Sequence, residues 1–170
     1  MSAAAAREAS LRSLGLSVYV PTFLFAAGQW AVIPIVPLAA RELGASVAFA
    51  SLVVALRGLG ILAFDIPAGW LVAHLGERRA MAVGTLMVGV ALGGAVWSTS
   101  TWGFAVFTFL MGCGWSVWLL ARLSYVTDVM PPELRGRALS TLGGINRVGN
   151  FVGPFAGVAL ASWMGLNAYY

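Results

Sequence analysis

The stretch that decides the fold is Gly149–Gly157, "GNFVGPFAG". It places three glycines at four-residue spacing and one proline, Pro154, inside an apolar run. In water this would make a poor helix, since an interior glycine costs about 1 kcal/mol and a proline about 3 kcal/mol relative to alanine. A bilayer changes the balance, because backbone groups there must be satisfied within the protein and helices tolerate both residues. At about 100° per residue, Gly149, Gly153 and Gly157 drift only about 40° per step, giving a flat stripe on which another helix can lie close. Pro154 removes one backbone hydrogen bond and bends the helix. Arg147 points about 160° away from Gly149. The segment therefore reads as a two-sided helix, with a packing seam behind and a charged cavity wall in front.

Composition points to lipid as solvent. Of 170 residues, 60% are hydrophobic and 9% are charged, against about 45–50% and about 25% in soluble domains. All ten basic residues are arginine. The one cysteine, Cys113, lies in an apolar run and reads as a small buried thiol. The one histidine, His74, reads as a solvated or hydrogen-bonded side chain at the membrane boundary. There is no Ser/His/Asp set, no HExxH arrangement and no metal-binding cluster, so the sequence does not read as an enzyme and implies no cofactor. Nothing in it suggests a nucleic-acid partner.

A spanning helix needs about 20 mostly apolar residues. Five segments meet that need, over about 16–40, 47–73, 80–98, 102–127 and 138–164. The expected fold class is an all-α membrane protein, a multi-span bundle. The first residues, "MSAAAAREASLRSLG", resemble the basic start of a signal peptide. The apolar run after them is too long and lacks a clear small-residue cleavage site. Residues 1–15 are read as a cytoplasmic tail, 16–164 as the transmembrane domain, and 165–170 as the start of a missing sixth helix. Arginine sets the orientation. With the N-terminus inside, Arg7, Arg12, Arg78, Arg79, Arg135 and Arg137 are cytoplasmic and only Arg41 is outside. Trp97, Trp102 and Trp163 suit interfacial anchors.

Four ionisable residues fall within the expected spans: Arg57, Asp65, Arg122 and Arg147. Arg57 lies roughly 15 Å into the second span, close to mid-membrane, and Arg147 is at similar depth in the fifth. Both read as lining a water-filled cavity or forming a functional ion pair. Arg122, nearer the cytoplasmic end of the fourth span, is either a snorkelling anchor or a cavity residue. Asp65 sits about 80° around and about 12 Å along the helix from Arg57. It therefore pairs across helices, faces water, or is protonated. Desolvation disfavours a charged carboxyl, so Asp65 is a candidate proton carrier. Three arginines against one aspartate would favour an anionic solute.

Together "GWLVAHLGERRA" (69–80), "DVMPPELRGRA" (128–138) and "GNFVGPFAG" resemble the major facilitator superfamily of secondary transporters. The resemblance extends from Pro21 to Gly165. In the family's signature after the second helix, Gly69, Gly76, Arg78 and Arg79 match, while Ala73, His74 and Glu77 depart from it. The resemblance implies that charges latch an inner gate. With the aspartate replaced by Ala73, Asp128 is the acid expected to meet Arg78 or Arg79, and Arg135 completes the gating set. The fourth-helix signature of proton-coupled members is absent, with Thr108 and Met111 in its polar positions before Gly112. The acid that some antiporters carry in the first helix is also missing; Gln29 and Trp30 are the polar spot there. The antiporter element of the fifth helix is matched by Gly149, Gly153, Pro154 and Gly157, with Val158 in its last glycine slot.

The resemblance implies a lipid-embedded secondary transporter of a small organic solute, an exporter in a plasma (inner) membrane. Its cavity would be lined by Gln29, Trp30, Arg57, Arg122, Arg147 and Asn150. Protons are a possible second partner. Family members have about twelve spans built as two halves from inverted repeats, so five spans imply a fragment that lacks its C-terminal half. The alternatives are an organic-anion uptake carrier of the same fold and a small non-transporting membrane protein.

Overall fold

The computed structural model describes residues 18–163. The expected tail 1–15, with Arg7 and Arg12, and the segment 165–170 lie outside the described residues.

The described chain forms six helices: α1 Val20–Val32, α2 Ile35–Glu42, α3 Val47–Leu75, α4 Glu77–Val96, α5 Thr101–Val129 and α6 Pro132–Trp163. The first expected span is broken at Ile33–Pro34, between α1 and α2. Pro34 has no N–H to continue the ladder, although Ile33 before it keeps helical angles, φ −55° and ψ −47°. The other boundaries follow local chemistry. Ser46 caps α3, its Oγ accepting from Phe49 N at 3.2 Å, and Ser100 caps α5, accepting from Gly103 N at 3.0 Å. Gly76 ends α3 with φ 76°, and its N–H donates to Val72 O at 2.9 Å. Pro132 opens α6, where a missing N–H is harmless, and Glu133 follows in the first turn.

Four stretches are long and apolar enough to cross a membrane: Val20–Glu42, Val47–Leu75, Glu77–Val96 and Thr101–Val129. The fifth expected span falls in α6, which is 32 residues long but not among those four. Asn146, Arg147 and Asn150 interrupt its apolar course.

The helices divide into two compact units, with boundaries at Ile35/Val36 and Pro131/Pro132. In one, α1 packs along α6. In the other, α5 is the central helix, packed along both α3 and α4. Close approach in this second unit depends on glycine. A methyl at Gly112 would overlap the carbonyl oxygen of Arg57, and one at Gly84 would come within 2.7 Å of Trp118 N. Beside these contacts Ala68, Val72, Ala80, Val117 and Ala121 form a small-residue core. Trp97, Trp102 and Trp163 are all strongly exposed, at 84%, 69% and 86%.

Candidate functional site

Two arginines of the α2–α5 unit, Arg57 and Arg122, sit along one line of contacts. On α3, the Arg57 guanidinium lies over the Trp115 ring at 5.8 Å. Trp115 and Trp118, one turn apart on α5, have ring centroids 5.6 Å apart and an interplanar angle of 31°. The Arg122 guanidinium lies over Trp118 at 4.4 Å. The result is a ladder of arginine, indole, indole and arginine across two helices. Cation–π attraction of this kind strengthens when the partners are out of water. Trp115 and Trp118 are 8% and 6% exposed.

Arg122 does not snorkel. It is 4% exposed. It also stacks on the residue four positions earlier, so its side chain points back toward the start of α5 and away from the nearer helix end. Its Nε and Nη1 are buried with no hydrogen-bond partner. The anchor reading fails because the side chain is buried against Trp118 rather than extended to the nearer helix end. Arg57 is only partly buried.

Asp65 answers a hydroxyl. Ser116 Oγ on α5 donates to Asp65 Oδ1 on α3 at 2.5 Å. This contact lies between the close approach at Gly112 and the core around Val117, so a tight helix interface sets its geometry.

The expected gating residues lie at the α3–α4 turn and beyond. Gly76 is the turn residue, while Gly69 is exposed with nothing near a built Cβ. The Arg78 guanidinium lies over the Tyr125 ring at 5.9 Å, one turn before Asp128. Arg79, Asp128 and Arg135 are exposed. His74 stacks on Trp70 at 4.2 Å, and its Nδ1 lies 2.8 Å from Trp70 O.

In the other unit, the glycine stripe faces α1. A Cβ on Gly149 would meet Ala26 Cβ at 2.7 Å, one on Gly153 would meet Ala27 O at 2.5 Å, and one on Gly157 would meet Ala31 O at 2.6 Å. Trp30 Cβ also lies against Gly153. Gln29 is buried on α1. Asn146 and Asn150 each have a buried Oδ1 without a partner, whereas Arg147 is exposed. An open groove of about 570 Å³ lies between the helices, lined by Tyr19, Phe23, Thr141, Gly144 and Val148.

Sequence reasoning therefore found the arginines and missed their companions, Trp115, Trp118 and Ser116. The signal was present in "WSVWLLAR", 115–122, where tryptophans three apart precede an arginine by one turn. Among the described residues, no group of three His, Cys, Asp or Glu could hold a metal ion.

Comparison with known proteins agrees with this architecture. The chain is 26% identical over 168 residues to the multidrug resistance protein MdtG of Salmonella newport, covering 95% of this chain and 42% of that one. It is 24% identical over 120 residues to the uncharacterized MFS-type transporter YhjO of Bacillus subtilis, covering 71% and 30%. It is 30% identical over 107 residues to the MFS-type transporter ppzB of Metarhizium rileyi, covering 63% and 22%. The chain thus spans less than half the length of these relatives. Residues 18–170 match the sequence profile of the Major Facilitator Superfamily, and with its bundle of apolar helices the chain belongs to that family of membrane transporters.

Proposed function

We propose that this chain is a membrane segment of a secondary active carrier that exports a small organic solute. The observation that supports it most is the pair of guanidiniums, Arg57 and Arg122, held against indole faces within apolar spans. Charge at that depth is expensive, and substrate or ion pathways are where membrane proteins use it. The name of the Salmonella relative, a multidrug resistance protein, supports the outward direction. Because the chain spans 42% of that relative, the transport cycle is assigned to this segment together with a second bundle. Gln29, Trp30, Arg147 and Asn150 are further candidate cavity residues. Arg78, Arg79, Asp128 and Arg135 are candidate gate residues.

Asp65 is the candidate proton carrier. Its carboxylate accepts from Ser116, and protonation would remove the charge that strengthens this bond. The proposed orientation puts the N-terminus in the cytoplasm of a plasma (inner) membrane, following arginine bias.

Transport by cells expressing the complete gene tests the reading. Lower accumulation of exported solutes in expressing cells is expected. Raised accumulation of an organic anion would favour the uptake carrier instead, a reading to which the buried Arg122 lends weight.

A further inference from the structure

We propose that Arg122 is the binding point for an aromatic or conjugated organic carboxylate, with Trp118 and Trp115 as the wall on which its ring stacks. The inference deepens the carrier reading, on which it rests for the claim that the anion is cargo.

The guanidinium of Arg122 is almost wholly covered, and its Nε and Nη1 meet no acceptor. A desolvated cation with open donors is unfavourable until an anion answers it. The contact it does make uses only its face, on the Trp118 ring. Stacking of that kind leaves the in-plane N–H groups free for a planar oxyanion, the geometry for which a guanidinium is suited. Asp65 on α3 accepts from Ser116. Ser116 lies six positions, or about 9 Å, before Arg122 along α5.

The indoles narrow the class of anion. Their centroids are 5.6 Å apart and their planes 31° from parallel, and both rings are covered, at 8% and 6% exposed. Arg57 flanks the far end of the indole pair. A ring bearing one carboxylate can stack on the indoles and place its charge at Arg122. Arg122 lies beneath packed side chains. The same cover means that the anion enters when packing around α5 parts, and its charge then neutralises the buried cation.

Equilibrium binding to the complete protein in neutral detergent tests this, with benzoate, benzamide and inorganic phosphate as probes in titration calorimetry. Benzoate is expected to bind, with benzamide at least about tenfold weaker and Arg122→Gln weakening benzoate by about tenfold or more. Arg122→Lys keeps the charge without the planar fork and is expected to fall between; it serves alone if the glutamine variant does not fold. Benzamide binding as tightly as benzoate, phosphate binding in place of benzoate, no benzoate binding, or Arg122 variants that bind like the parent would each overturn the proposal. Binding needs no transport. Binding without transport therefore breaks the carrier reading alone, and transport without benzoate binding breaks this one alone.

Discussion

Where α6 meets α1, the glycine backbone of α6 lies directly on α1. Gly149, Gly153 and Gly157 lie on Ala26, Ala27 and Ala31, and hardly any side-chain volume separates the two chains. Where α5 meets α3, glycines again allow close approach, at Gly60 and Gly112, but charged and aromatic side chains fill the space beside them. The glycine seam of the first interface is packing, although the same unit holds the buried Oδ1 atoms of Asn146 and Asn150. The second places Arg57, Asp65, Ser116 and the indole pair around one helix. In lipid there is no hydrophobic drive between helices, so close van der Waals fit is a main source of association. An interface that gives up part of that fit to buried charge must gain something else, and in membrane proteins that gain is commonly function.

The largest effect should come from breaking the glycine seam. Gly153→Leu puts a branched side chain where even a Cβ lies 2.5 Å from Ala27 O. Overpacking of this kind costs about 1–3 kcal/mol or more, so a clear drop in unfolding temperature is expected in detergent. An unchanged transition would show that the seam does not hold the helices together. Gly69→Ala is the matched control, since nothing lies near a Cβ there. It should be neutral or stabilise by up to about 1 kcal/mol through helix propensity.

Next in size is the effect of removing the buried cation. Arg122→Met relieves donors that have no partner, and a gain of about 1–3 kcal/mol in stability is expected. A loss of similar size would mean that the charge is structural. Ser116→Ala is the smaller perturbation. It deletes the hydrogen bond to Asp65 and should cost about 0.5–2 kcal/mol. If Asp65 carries protons, the same change should also move the pH profile of transport in the complete protein. A stability loss with no change in that profile would leave Asp65 as a helix–helix contact.

Much of the fold could be read from the chain. Glycines at four-residue spacing predict a close seam, because their spacing is local and helical geometry fixes which face they share. Arg57, Asp65 and Arg122 stood out because charge is rare in apolar runs. Pairings between helices were less legible. Ser116 meeting Asp65 depends on the register of α5 against α3, and no residue in either helix announces that register. Arg122 was ambiguous for a related reason. Its depth allowed an anchor reading, and its burial and the direction of its side chain, back onto Trp118, decide against it. The break at Ile33–Pro34 was carried by a proline that an apolar count passes over.

The central claim is that charge buried in the α2–α5 unit serves transport rather than folding. It is tested most directly by measuring solute export and unfolding temperature together for Arg122→Met in the complete protein. Export should fall at least about tenfold, with an unfolding temperature equal to or above that of the parent. Full export with the arginine gone, or an unfolding temperature that drops in step with export, would contradict the account.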